Sequence, residues 1–238
     1  MHILTVLFVL TWAARGLAQD QTTPGRWLAE AEAAHGAVTN YTAIFHKQQR
    51  IDATLLQEEV IFIKFREPLS LYMRWVDEPD KGAELLYVEG WNGNRARAHQ
   101  SGVLGLVTWN LCPRDPRLMS DNLHPLTYTG IKHLVMNVAS NVHRASKAGE
   151  LGFHNRGEEM VYGLPTRILE IVLPRDEAKG YSAYRMIINQ DLASKILIRI
   201  RIYDWKDQLF EHYGYQDIEL DAGLTDADFD PDNPDYHF

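Results

Sequence analysis

The chain has 238 residues, of which 32 are acidic and 24 are basic, so its formal net charge is −8 with histidine neutral. Such an acidic chain lacks the basic surface by which proteins bind phosphate backbones, and this excludes nucleic acid as an expected partner. The single cysteine, Cys112, excludes an internal disulfide and a cysteine-rich metal site.

Residues 1–18 predict a cleavable export signal. The run 3–13 is mostly apolar, and the small residues Gly16 and Ala18 suit cleavage before Gln19. The run is shorter than a typical membrane-spanning helix. The predicted cleavage point has no cysteine, which excludes lipid attachment there. We expect a periplasmic or secreted protein without a stable membrane anchor after cleavage. An uncleaved anchor or a buried segment is the alternative, because the usual positively charged start is missing.

A helix is predicted directly after this signal. Thr23 is a good N-cap residue, and Pro24 fits the first helical position. The apolar residues that follow share one helical face: Trp27, Leu28, Ala31, Ala34 and Val38.

Five consecutive short segments then alternate between apolar and polar residues with a period of two. This pattern is typical of antiparallel strands joined by turns, and Asn92-Gly93 is the clearest turn signal between them. The segments are 41–50, 56–66, 69–76, 83–89 and 94–99.

The middle of the chain differs from these strands. Residues 101–129 mix proline, glycine and apolar side chains without a period, which predicts a long loop packed over the body as a lid. Residues 130–148 predict a helix with one broad apolar stripe, which we expect to lie on the concave face of the sheet. The stripe consists of Ile131, Leu134, Val135, Val138, Ala139 and Val142.

Strands return in the second half, and the tail 230–238, rich in Asp and Pro, is expected to be loose. We predict a mostly β protein of the α+β class. Its single curved antiparallel sheet, a half-barrel of about ten to eleven strands, occupies residues 19–229 with helices on the concave side. The length suits one such domain. The second-half strands are 160–162, 166–173, 182–189, 194–203 and 208–220.

Catalytic chemistry has one candidate region. Asp121, His124 and His133 offer a carboxylate and two imidazoles, which could bind a metal or act as acid and base. Their spacing matches no metal motif, and turn and capping roles explain Asp121 as well. The chain also lacks a Gly-x-Ser-x-Gly elbow and a phosphate-binding glycine loop. We therefore expect no cofactor and no metal, with an enzyme as the alternative.

A concave sheet needs something to fill it, and a hydrophobic ligand is our leading hypothesis. Ordinary core packing is the competing explanation for each aromatic side chain. The cavity candidates are Phe45, Phe62, Met73, Trp75, Tyr87, Ile188, Ile198 and Ile200. The lid candidates are Leu104, Leu106, Trp109, Ile131, Leu134 and Val138.

Four sequence segments resemble the DUF1571 family, an uncharacterised exported bacterial family. They are Phe-His-Lys-Gln-Gln-Arg-Ile-Asp at 45–52, Lys-Phe-Arg-Glu-Pro-Leu-Ser-Leu-Tyr-Met-Arg-Trp at 64–75, residues 82–90 with their Leu-Tyr-Val-Glu-Gly, and Asn-Leu-His-Pro-Leu-Thr at 122–127. The second segment is also similar to the lipoprotein carriers LolA and LolB. The resemblance implies a periplasmic half-barrel that binds the acyl chain of a lipid or lipoprotein.

Three functions therefore stay open at this point. The first is a carrier or sensor for an acyl chain, and the second is an enzyme that uses Asp121, His124 and His133. The third is an interaction module of the cell envelope, with an envelope protein as partner and a cavity filled by its own side chains. A shared fold does not decide among them.

Overall fold

A computed structural model describes residues 23–101 and 107–238. The predicted export signal and the lid candidates Leu104 and Leu106 lie outside the described residues. The helices are α1 (Pro24–Ala37), α2 (Pro116–Met119) and α3 (Ile131–Ala148). The strands are β1 (Asn40–Ile51), β2 (Thr54–Leu55), β3 (Glu59–Arg66), β4 (Ser70–Trp75), β5 (Glu84–Val88), β6 (Ala96–His99), β7 (Thr108–Leu111), β8 (Gly152–Val161), β9 (Leu164–Val172), β10 (Arg185–Asp191), β11 (Leu197–Tyr203) and β12 (Leu209–Leu220).

All twelve strands belong to one open antiparallel sheet. Its order is β7-β6-β5-β4-β3-β1-β12-β11-β10-β9-β8, and the short β2 pairs with β1 only. The first and last long strands therefore lie side by side at the centre, where Phe45 of β1 is opposite Tyr215 of β12. The predicted fold class is confirmed, because each half of the chain folds as a meander of neighbouring strands.

Two strands were missing from the prediction, and a third is longer than predicted. β2 has only two residues, and β7 lies in the predicted loop, so neither is long enough to establish an alternation. β8 begins at Gly152, eight residues before the predicted start. This edge strand is mostly exposed and polar, so its sequence shows no alternation with a period of two.

Helices α1 and α3 pack on one face of the sheet, which we call the inner face. Their apolar stripes share a buried cluster with the inner-face residues of β9, β10 and β11. His35 of α1 adds a polar link, because its Nε2 accepts a hydrogen bond from the backbone N–H of Leu197 at 3.2 Å. Burial lowers the pKa of His35 to about 4, which keeps the imidazole neutral and able to accept. Among the described residues, no helix is both long and apolar enough to cross a membrane.

The acidic tail 230–238 is docked on the opposite, outer face, contrary to the prediction that it is loose. The ring of Tyr236 stacks on Tyr72 with 3.9 Å between centroids. His237 contacts Glu84, a side chain only 1% exposed, through its backbone N–H at 2.8 Å and its Nδ1 at 2.9 Å. The content of Asp and Pro predicts a loose tail, but the contacts that dock it come from only three residues near its end.

Ending the chain at Asn233 is expected to lower the free energy of unfolding by about 2–4 kcal/mol. The deletion removes an aromatic stack and leaves the buried Glu84 without its hydrogen-bond donors. Urea denaturation of the truncated and full-length chains measures the difference. The variant Asp235→Asn, at an exposed tail position, should stay within about 0.5 kcal/mol. A truncated chain with an unchanged midpoint would show that the docked tail adds no stability.

Candidate functional site

The inner face carries a cavity of about 470 Å³. It lies over the half of the sheet formed by the first strands of the chain, which neither α1 nor the body of α3 covers. Strands β1, β3–β6 and β12 form its floor. Its roof is the start of α3 together with residues 112–130, the segment between β7 and α3 that we call the cover. Its lining includes the apolar side chains of Phe45, Met73, Leu85, Leu126, Leu134 and Tyr215.

Stacked aromatic rings make the central floor. Phe45 lies 5.0 Å from the ring of Tyr215 and 6.0 Å from that of Tyr213, measured between centroids. The three residues face inward from the paired strands β1 and β12. Large rings on neighbouring strands give a rigid apolar surface at a low cost in side-chain entropy.

A first polar group lies beside this floor. The Nζ of the buried Lys47 contacts Glu59 at 2.6 Å, and the indole Nε1 of Trp75 donates to the other oxygen of Glu59 at 2.7 Å. The pair brings two opposite charges out of water, which costs less when additional donors satisfy the carboxylate. Trp75 supplies such a donor, and the same hydrogen bond fixes the position of its indole ring.

A second polar group joins the cover to the floor. Gln49 donates to the hydroxyl of Tyr213 at 2.5 Å, and this hydroxyl donates to Glu211 at 2.5 Å. Burial first, and then the charge of Glu211, raise the pKa of Tyr213 well above its usual value, so the phenol remains a neutral donor. From the cover, His124 contacts Glu211 through Nε2 at 3.0 Å, and the backbone N–H of Leu123 donates to Gln49 at 3.1 Å.

The rim of the cavity is acidic and aromatic. The carboxylates of Asp80 and Asp121 line it. Burial, followed by repulsion from Glu59 and Asp121, raises the pKa of Asp80. The exposed ring of Tyr128 stacks on His133 with 5.4 Å between centroids.

Five of the predicted ligand and lid residues line this cavity. They are Phe45, Met73, Trp75, Trp109 and Leu134. Phe62 instead lies on the outer face, against the cluster that holds the tail, because it alternates with the inward Ile61 and Ile63. Tyr87 is buried in the inner-face core without lining the cavity.

The second-half candidates are packed rather than exposed to the cavity. Ile188 and Ile200 are buried against the two helices. Ile198, Ile131 and Val138 are likewise enclosed in the core clusters. These residues face inward as expected, but the protein's own side chains cover them.

The alternative catalytic set is brought to one place without forming a metal site. Asp121, His124 and His133 all line the cavity. Within the described residues, however, no three His, Cys, Asp or Glu side chains are grouped so that they could hold a metal ion. His124 is engaged by Glu211, a residue that the sequence did not single out.

The polar residues of the site that were not predicted from the sequence include Lys47, Gln49, Glu59, Asp80 and Glu211. The alternation of β1 contained a signal, because it places Lys47 and Gln49 on the same face as Phe45. Polar residues in the inward positions of a strand are unusual enough to mark a site.

The family model of DUF1571, described as a protein of unknown function, matches residues 38–238. No curated protein matches the sequence.

Several solved structures are similar to this chain. One is the MucA/MucB complex of Pseudomonas aeruginosa, with 16% identity, a TM-score of 0.46, and coverage of 87% of this chain and 60% of the other. This chain thus spans about three-fifths of the length of the MucB structures. The Mycobacterium tuberculosis lipoprotein LppX has 12% identity and a TM-score of 0.49, with coverage of 85% and 99%. A LolA superfamily protein from Nitrosomonas europaea has 11% identity and a TM-score of 0.36, with coverage of 88% and 98%.

Proposed function

This chain belongs to the DUF1571 family, and we propose that it is an exported carrier or sensor that holds the acyl chain of a lipid or lipoprotein in the inner cavity. The observation that supports this function is the cavity itself. Its volume of about 470 Å³ lies within the range of roughly 300–1,000 Å³ that is common for small-molecule sites. Its lining combines apolar side chains such as Phe45 and Met73 with polar groups such as the Lys47–Glu59 pair and Glu211.

Apolar burial supplies the driving force for this binding. Each buried methylene contributes about 0.8 kcal/mol, so a chain of about a dozen methylenes could contribute on the order of 10 kcal/mol before losses. Ordering the ligand and losing its freedom of motion offset part of this gain. The rigid aromatic floor of Phe45, Tyr213 and Tyr215 limits the further cost of ordering the protein.

The polar groups favour a ligand whose polar end is neutral or cationic. Glu59, Asp80, Asp121 and Glu211 line the cavity, against the buried Lys47 and against Arg117, which pairs with Asp115 at 3.0 Å. A free carboxylate or phosphate would be repelled by this set, whereas an ester or amide can exchange hydrogen bonds with it. An acyl chain in ester or amide linkage therefore fits better than a free fatty acid.

The rim suggests how an envelope protein or membrane that delivers the acyl chain would approach the cavity. Trp109 and Tyr128 are 40% and 55% exposed beside the opening, although both are large and apolar. Exposed aromatic side chains around an opening are typical of surfaces that contact another protein or a lipid layer. An envelope protein or membrane that delivers the acyl chain would meet this rim first.

Native mass spectrometry tests the proposal. The full chain, expressed with residues 1–18 and purified from the periplasm, should retain an acyl-containing adduct of about one per chain. Organic extraction and lipid analysis identify that adduct. A protein that is bare on purification should acquire one monoacylglycerol per chain when it is incubated with this probe. A bare mass in both experiments would rule out the carrier function.

A further inference from the structure

We propose that the contact between His124 and Glu211 is a proton-controlled clamp that fastens the cover over the cavity and loosens it when His124 loses its proton. The clamp would regulate access to the same cavity, so its biological meaning rests on the proposed function. The contact itself is a feature of the protein without ligand.

The clamp is the main polar attachment of the cover. Throughout 112–130, every residue of which is described, only two hydrogen bonds reach the strands, from Leu123 to Gln49 and between His124 and Glu211. The other hydrogen bonds of the cover are local, such as that from Asn122 to the carbonyl of Leu118. Two consecutive residues thus make the hydrogen bonds of the cover to the sheet, while Leu118 and Leu126 pack on the core.

Both attachments end on one buried network. Gln49 and Glu211 are each bound to the hydroxyl of Tyr213, so β1 and β12 present a preorganised pair of acceptors to the cover. The side chain of Glu211 is 8% exposed, whereas that of His124 is 43% exposed. The buried carboxylate is thus fixed, and the imidazole is the partner that can leave it for water.

The chemistry of the contact gives the direction of the switch. The hydrogen bond to Glu211 and attraction to its charge raise the pKa of His124, while burial opposes them. The protonated form is therefore the one that the closed cover favours. The stabilisation of the closed cover by protonated His124 is fully present below the pKa of a free histidine. It is lost as the pH rises through the raised pKa of His124 in the closed form. Loss of the charge on His124 leaves a weaker hydrogen bond, from a neutral imidazole to the carboxylate.

The surrounding groups leave His124 as the titrating member of the contact. From β12, Glu211 and Tyr213 face it, and the phenol stays neutral because its pKa is raised well above the usual value. From β1, Gln49 does not titrate. Within the cover, the ring of Tyr128 lies 6.5 Å away between centroids, and His133 of α3 stacks on the far side of that ring.

Amide hydrogen exchange of residues 122–128 in the ligand-free chain tests the clamp. After correction for the intrinsic rate, the opening constant should rise about fivefold or more between pH 6 and pH 8.5. His124→Gln and Glu211→Gln should each remove this pH dependence. His133→Gln, a neighbouring histidine outside the contact, should retain it.

The outcomes separate the clamp from the proposed function. A wild-type opening constant that is flat with pH, a dependence that survives in His124→Gln, or one that disappears in His133→Gln would each overturn the clamp. Since no ligand is present, these results do not depend on the carrier function. A protein with an intact pH dependence that binds no acyl chain would instead reject only the carrier.

Discussion

Replacing Leu134 by Asp is expected to reduce the amount of bound acyl ligand by about tenfold or more. Leu134 projects from α3 into the roof of the cavity and is packed against both large core clusters. Burying a leucine side chain contributes about 1.5–3 kcal/mol, and the new carboxylate would have to lose its water beneath the ligand. Titration with monoacylglycerol, followed by native mass spectrometry, measures the loss.

A matched variant on the same helix separates binding from folding. Met136→Asp introduces the same charge two residues later, at a side chain that is 57% exposed and does not line the cavity. It should bind the probe as the wild type does. Ala98→Trp, on β6 across the cavity, fills the space without adding a charge and should also reduce binding. Unchanged binding in both Leu134→Asp and Ala98→Trp would place the ligand elsewhere.

The sequence predicted the sheet well because its signals are local. Alternation with a period of two depends only on neighbouring residues, and the burial of β1 and β3 alternates along each strand. The resemblance to DUF1571 is confirmed by the family match. What local signals could not show is that β1 and β12 meet at the centre, because this pairing joins residues about 170 positions apart.

The site was predicted only in part, for a physical reason. Periodicity shows which side chains of β10 and β11 face inward, but not how far along the sheet a helix extends. Helices α1 and α3 occupy the second half of the inner face, so Ile188 and Ile200 became core. The first half stays open, and there Phe45, Met73 and Trp75 line the cavity.

The polar part of the site depends on tertiary contacts that sequence spacing does not encode. His124 and Glu211 are 87 positions apart and meet only because the cover returns over β12. The predicted grouping of Asp121, His124 and His133 relied instead on closeness in the chain. Once folded, the nearest partner of His124 is a carboxylate on a strand.

Replacing Trp27 by Ala is expected to lower the free energy of unfolding by about 3–5 kcal/mol, because a fully buried ring would leave a cavity behind. The ring lies between α1 and the sheet, 5.6 Å from the ring of Phe153. Its Nε1 donates to the amide oxygen of the buried Gln190 at 3.1 Å, and the variant leaves that oxygen without this donor. Urea denaturation measures the change.

The variant Trp27→Phe divides this effect into its two parts. It retains most of the packing and removes the hydrogen bond, so the expected loss is about 1–3 kcal/mol. Because α1 packs on α3, and α3 carries Leu134 into the roof of the cavity, Trp27→Ala should also weaken ligand binding when most chains are still folded. If Trp27→Ala cost less than about 1 kcal/mol, α1 would not be an integral part of the core. The cavity would then owe its shape to α3 and the cover.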